Sequence, residues 1–130
     1  MSAQTNPSEW IRLAEMDSAT AHHMFETYHP KPIEIVCFHA QQAAEKMLKA
    51  FLVSKGIDFP KTHDLQELCL LCEGLDIQFN NFHREMVTLN RYSVIPRYPM
   101  EWEITEADAE TALKCSENIM NFTKKIMLID

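Results

Sequence analysis

At 130 residues, 46% hydrophobic and 24% charged, the chain reads as one soluble globular domain, residues 1–130, long enough to bury a core without disulfide or metal staples. Its net charge of −7 excludes a protein that coats nucleic acid nonspecifically, because that needs a broad cationic surface, but leaves room for a local basic pocket. Only two glycines, Gly56 and Gly74, argue against the many turns of a sandwich or barrel, and no run approaches the roughly 18 to 20 apolar residues of a membrane span.

The opening "MSAQTNPSEW" lacks the basic start and apolar run of a signal peptide, so the expected location is cytoplasmic, with no membrane association. "NPSEW" places Asn6 as N-cap, Pro7 at the first helical position and Glu9 at the third. A first helix is predicted to about Tyr28, where "HPKP" breaks it. A second runs from about Ile33 to Lys55 and stops at Gly56. "DFPKTHD" reads as a loop whose Thr62 caps a short third helix, about Asp64 to Glu73, followed by a fourth over roughly Phe79 to Tyr92. "SVIPRYPMEWEI" is irregular. Thr105 caps a last helix with acids in its first turn and Lys124 and Lys125 in its last, a polarity that suits the helix dipole. The prediction is all-α: an antiparallel bundle of four long helices plus one short helix.

Four cysteines fit reduced, mostly buried thiols. Cys69 and Cys72 form a C-x-x-C inside an apolar helical run with no second pair, so no metal site and no cofactor are expected. His22 and His23 point about 100° apart on a helix and, with His29, read as surface residues.

The second helix carries the informative pattern. Val36, Ala40, Ala43, Met47, Ala50 and Phe51 share an arc with Cys37, Ala44 and Leu48, and that arc is core. The other side is mixed. His39, Gln42, Lys46 and Lys49 form one polar stripe, interleaved with Ile35, Phe38, Leu52 and Val53. Either the bundle covers this helix on most sides with polar groups at the edge, or the stripe faces a second chain or a ligand. Glutamine and histidine supply donors and acceptors and lysine a cation, which suits an anionic or nucleobase-bearing ligand. Glu45 reads as a helical neighbour of Lys49, worth tenths of a kcal/mol.

Two further groups are candidates. His63 and Asp64 sit at a helix start, where Asp64 complements the dipole or His63 completes a pocket with the stripe. Arg91, Tyr92, Arg97 and Tyr98 are the densest basic and aromatic group: arginine grips phosphate and tyrosine stacks on a base, unless they merely pin a loop to the bundle.

Three ordered motifs carry a resemblance: "HAQQAAEKMLKA" from His39 to Ala50, "THDL" from Thr62 to Leu65, and "RYP" from Arg97 to Pro99. They resemble the HEPN domain (higher eukaryotes and prokaryotes nucleotide-binding) in its prokaryotic stand-alone branch, from Trp10 to the last helix. The resemblance implies a bundle that commonly forms a homodimer. It also implies kinship with RNase toxins often encoded beside a minimal nucleotidyltransferase antitoxin. Their catalytic pair is an Arg and a His with about four to six residues between them, the phosphate-steadying cation and the base of transesterification. That pair is absent here. No His follows Arg84, Arg91 or Arg97, and Arg12 is followed by His22 and His23 only ten and eleven positions on, with nine and ten residues between.

The expected function is therefore a non-catalytic module that binds a nucleotide, RNA or a partner protein such as a nucleotidyltransferase, through a groove lined by the second helix and "RYSVIPRYP". A divergent, metal-independent ribonuclease using His39 or His63 with Arg91 or Arg97 is the rival, and a homodimeric assembly domain the third option.

Overall fold

The computed structural model describes residues 6–93 and 103–129. Each helix begins or ends where local chemistry satisfies its free backbone groups. The Asn6 side chain accepts from the Ser8 N–H at 3.0 Å and Pro7 takes the first position of α1 (Pro7–Thr27). After "HPKP", α2 (Ile33–Ser54) ends in a Schellman-type reversal. Gly56 N–H donates to the Val53 carbonyl and Ile57 N–H to the Leu52 carbonyl, each at 3.0 Å, with Gly56 at φ +71°. Only a residue without a Cβ takes that backbone readily.

The cap of α3 (Leu65–Glu73) is Asp64 rather than the expected Thr62: its carboxylate accepts from Gln66 N–H at 2.9 Å, while Thr62 Oγ1 accepts from Asp64 N–H at 3.0 Å. The element expected over Phe79 to Tyr92 divides into a 3₁₀ segment, Ile77–Phe82, and α4 (His83–Asn90). Asn80 and Asn81 sit inside the 3₁₀ segment, and asparagine side chains compete with helical backbone bonding. α5 (Glu106–Ile129) opens on a reciprocal box: Thr105 Oγ1 accepts from Asp108 N–H at 3.2 Å and the Asp108 carboxylate from Thr105 N–H at 2.8 Å. Lys124 and Lys125 lie just before the last turn rather than in it as expected, because the helix continues to Ile129. The described residues hold five α-helices, three long and two short, and no strand. None of these helices is long and apolar enough to cross a membrane.

α2 is the axis of the bundle, with thirteen of its 22 residues buried. Small residues let its neighbours approach: Ala14 and Ala21 on α1, and Ala109 and Ala112 on α5, are all 0% exposed. Ser116 Oγ on α5 donates to the Ala40 carbonyl on α2 at 2.7 Å, and Met120 packs with Ala43 and Met47, so α5 runs in the same sense as α2. The pairs His22–Glu117 and Lys124–Glu15 run the opposite way, which makes α1 antiparallel to α5. The chain returns between α2 and α5 through α3 and α4. An aromatic chain seals that side: Phe51 to Phe79 at 4.9 Å, Phe79 to Phe122 at 5.1 Å and Phe122 to Phe82 at 4.7 Å between ring centres.

These contacts generate two predictions. Ala43→Leu, at a 0% exposed position, is expected to lower unfolding free energy by about 1–3 kcal/mol in urea denaturation, because overpacking forces the helices apart. The Asp108 carboxyl is held below its ordinary value, chiefly by the Thr105 backbone N–H and then by its hydroxyl. A depressed folded-state value contributes stability above the unfolded value and loses it as pH falls through the folded one. Asp108→Asn is therefore expected to flatten the acid limb of the stability curve below pH about 4.

Candidate functional site: a basic and aromatic cleft over a buried carboxylate

The stripe on α2 does not face open space as one surface. Asp17 on α1, only 13% exposed in its side chain, takes two of its members. Its carboxylate bonds His39 Nδ1 at 2.9 Å and pairs with Lys46 Nζ. His39 and Lys46 thus tie α1 to α2 instead of lining a groove. Gln42 donates to Gln41 Oε1 at 2.7 Å.

The polar line that reaches a cleft is Gln41, Glu45 and Lys49, spaced i, i+4, i+8. Glu45 is 2% and Gln41 0% exposed. Lys49 Nζ donates to Glu45 Oε2 at 3.0 Å, and Gln41 Nε2 donates to Glu45 Oε1 at 3.2 Å and to the His63 carbonyl at 3.4 Å. His63 Nδ1 lies 3.2 and 3.3 Å from the two Glu45 oxygens. An ionised carboxylate only accepts, so this contact places a histidine proton on Nδ1 and, in the neutral ring, leaves Nε2 without one. The imidazole is 70% exposed, so one edge rests on the buried acid while the rest meets solvent. The pairing of Glu45 with Lys49 is as expected, but burial makes it a different interaction from a solvated helical pair.

Above this network lies a cleft of about 630 Å³, lined by Trp10, Lys49, Val53, residues 56–59, Lys61, Thr62 and His63. The Gly56 reversal folds the loop back over the end of α2 and lowers Phe59 onto Trp10, ring centres 5.8 Å apart and edge to face. Lys49 Nζ sits 5.3 Å from the Phe59 ring centre and 5.7 Å from that of Trp10, within cation–π range. The cleft joins two aromatic rings, one paired and buried lysine, one exposed lysine, a histidine held by a carboxylate and one exposed acid, Asp58. Its volume falls within the ~300–1,000 Å³ range of small-molecule sites.

Of the residues singled out in the sequence, Lys49 and His63 meet in the cleft. Asp64 is the α3 cap and also accepts from Asn90 Nδ2 at 3.0 Å, which ties α3 to α4. Tyr92 is 4% exposed, so its ring is not open to stack on a base, and burial pushes its hydroxyl up to about 12. The Arg91 guanidinium lies 5.6 Å from the Tyr92 ring centre. Arg97, Tyr98 and the "RYP" motif lie outside the described residues. Trp10, Phe59 and Lys61 are cleft residues that the sequence pattern does not single out. The density of aromatic and basic residues in "DFPKTH" is the signal for two of them; nothing local marks Trp10. Among the described residues, no trio of metal-ligand side chains converges in the cleft; the one that does converge is Cys69, Glu73 and His83, between α3 and α4.

Removing the lysine leaves the buried acid without its cation, held only by Gln41 and the exposed His63. Lys49→Met is expected to cost about 3–5 kcal/mol in urea denaturation, and Glu45→Gln added to it should recover most of that loss.

The comparisons with known proteins agree with this architecture. A crystal structure of ST0689, described as an archaeal HEPN homologue, superposes with a TM-score of 0.69 at 23% identity, covering 92% of this chain and 96% of that one. That of TT1696 from Thermus thermophilus gives 0.75 at 24% identity with the same coverage. At these identities the likeness is one of fold. "Putative toxin MJ1304" of Methanocaldococcus jannaschii is 27% identical, covering 91% of this chain and 86% of its own length. The family model of the HEPN domain matches residues 7–126, nearly the whole described bundle, and the chain belongs to the HEPN domain family.

Proposed function

We propose that this HEPN protein is a binding module for a nucleotide or the end of an RNA strand, which it holds in the Trp10–Phe59–His63 cleft without turning it over. The observation that carries the reading is the cleft itself, where the Trp10 and Phe59 rings stand beside Lys61 and His63. A base is matched by aromatic side chains, and a phosphate by a lysine with an imidazole donor. The Arg–His spacing of the family's nucleases is absent from the sequence, which favours binding over cleavage. The relative named as a toxin supports placing the module in a toxin–antitoxin type pair, with a nucleotidyltransferase as the proposed partner and a homodimer as the proposed assembly. A cytoplasmic location suits that role.

One observation favours a second reading. Glu45 orients His63, a cleft residue, through Nδ1, as a carboxylate orients a histidine base. In a divergent, metal-independent ribonuclease, Nε2 would take the proton of a ribose 2′-hydroxyl, and Lys61 would steady the phosphate.

Thermal-shift titration with AMP, ATP and a short RNA separates the two. Binding without turnover is expected to raise the melting midpoint by about 10 °C at about 100 times the dissociation constant. Lys61→Ala combined with His63→Ala should remove that shift. RNA cleavage by the wild type that is lost in His63→Ala would establish the ribonuclease instead. If no nucleotide or RNA shifts the midpoint and no RNA is cut, both readings fail.

A further inference from the structure

The C-x-x-C of α3 separates in space. Cys72 turns its Sγ to the Leu48 carbonyl of α2, at 3.9 Å. Cys69 turns the other way, toward the 3₁₀ segment, where its Sγ donates to the Phe79 carbonyl at 3.6 Å. Glu73 follows Cys69 by one helical turn and shares its face. The 3₁₀ segment then brings back His83, the first residue of α4, and its Nε2 lies 2.9 Å from Glu73 Oε2. The ligand atoms of Cys69, Glu73 and His83 all lie within 4.8 Å of one another.

We propose that Cys69, Glu73 and His83 form a zinc-class metal site, completed by a water as fourth ligand. The donor set makes the choice. One sulfur, one imidazole nitrogen and one carboxylate oxygen suit zinc, whereas calcium and magnesium take oxygen ligands. Tetrahedral zinc, with bonds of about 2.0–2.3 Å, holds its ligand atoms about 3.3–3.6 Å apart, a spacing within reach of side-chain rotation here. The cluster also has a wet side. Cys69 is 0% exposed, while the side chains of Glu73 and His83 are 14% and 39% exposed, so an ion enters past the imidazole and ends on the sulfur. On binding, the Cys69 thiol loses its proton to solvent, the S–H bond to Phe79 is given up, and a metal–sulfur bond forms. The metal then clips α3 to α4 across the 3₁₀ segment. None of the three residues lines the cleft, so the site is independent of the ligand proposed there.

The test uses the full chain, stripped with a chelator under reducing conditions and titrated with cobalt(II), then zinc(II). The expected result is one equivalent of cobalt with a near-ultraviolet thiolate charge-transfer band and intense visible bands of a four-coordinate ion. Zinc should displace it stoichiometrically and raise the melting midpoint. Cys69→Ser should abolish the charge-transfer band and Cys115→Ser should keep it. His83→Gln, at a partly exposed position, should weaken cobalt binding by at least about tenfold with an unchanged helical circular-dichroism spectrum. That variant carries the test alone if Cys69→Ser does not fold. Absence of the band at millimolar cobalt, its survival in Cys69→Ser, or unchanged affinity in His83→Gln would overturn the proposal.

Discussion

A carboxylate buried to 2% exposure in the middle of the central helix has to be compensated, because taking it out of water costs several kcal/mol. Glu45 obtains that compensation from three directions: Lys49 one turn later, Gln41 one turn earlier, and His63 from the loop that follows α2. The first two belong to the helix. The third fixes where the loop runs. Gln41 adds a bond to the His63 carbonyl, so backbone and side chain of His63 are both held. The loop is therefore pinned at two points, by the Gly56 reversal at its start and by Glu45 near its end, and the cleft is the space left between it and Trp10.

The same logic acts on a neighbouring flank of α2. Asp17 comes from α1 and meets His39 and Lys46, which stand two turns apart on α2. Two acids on neighbouring flanks thus absorb most of the polar groups of α2, while Ile35, Phe38 and Val53 stay partly exposed. The division of labour is physical. The Asp17 cluster connects two rigid helices and has little freedom to serve a ligand. The Glu45 cluster connects a helix to a loop, and its histidine retains a solvent-facing edge. Binding chemistry concentrates where a scaffold positions a loop.

Much of the framework was legible from local pattern. Asn6 with Pro7, the stop at Gly56 and the Thr105 box are interactions within a few residues, so sequence neighbours suffice to predict them. The core arc of α2 follows from 100° per residue, and each of its nine members is buried. The boundary at 77–83 was not legible, because a 3₁₀ segment and an α-helix share hydrophobic spacing over so few residues. Of the candidate site, Lys49 and His63 were visible as residues of the right chemistry. Glu45 reads only as a helical neighbour of Lys49, and Tyr92 fits a base platform and a packed loop anchor equally, because spacing carries no information on depth.

By itself the sequence determined the all-helical framework, the buried side of its central helix, the motifs of the HEPN family and the lack of that family's Arg–His nuclease spacing. Tertiary structure alone decided what each polar side chain faces. Asp17 meets residues 22 and 29 positions away, Glu45 meets one 18 away, and Trp10 meets Phe59 from the far end of the hairpin. Helical periodicity sets the direction of a side chain from its own axis, but the group standing opposite is chosen by how the helices pack, and that choice turned His39 and Lys46 into a brace and put Lys49 in the wall of a cleft.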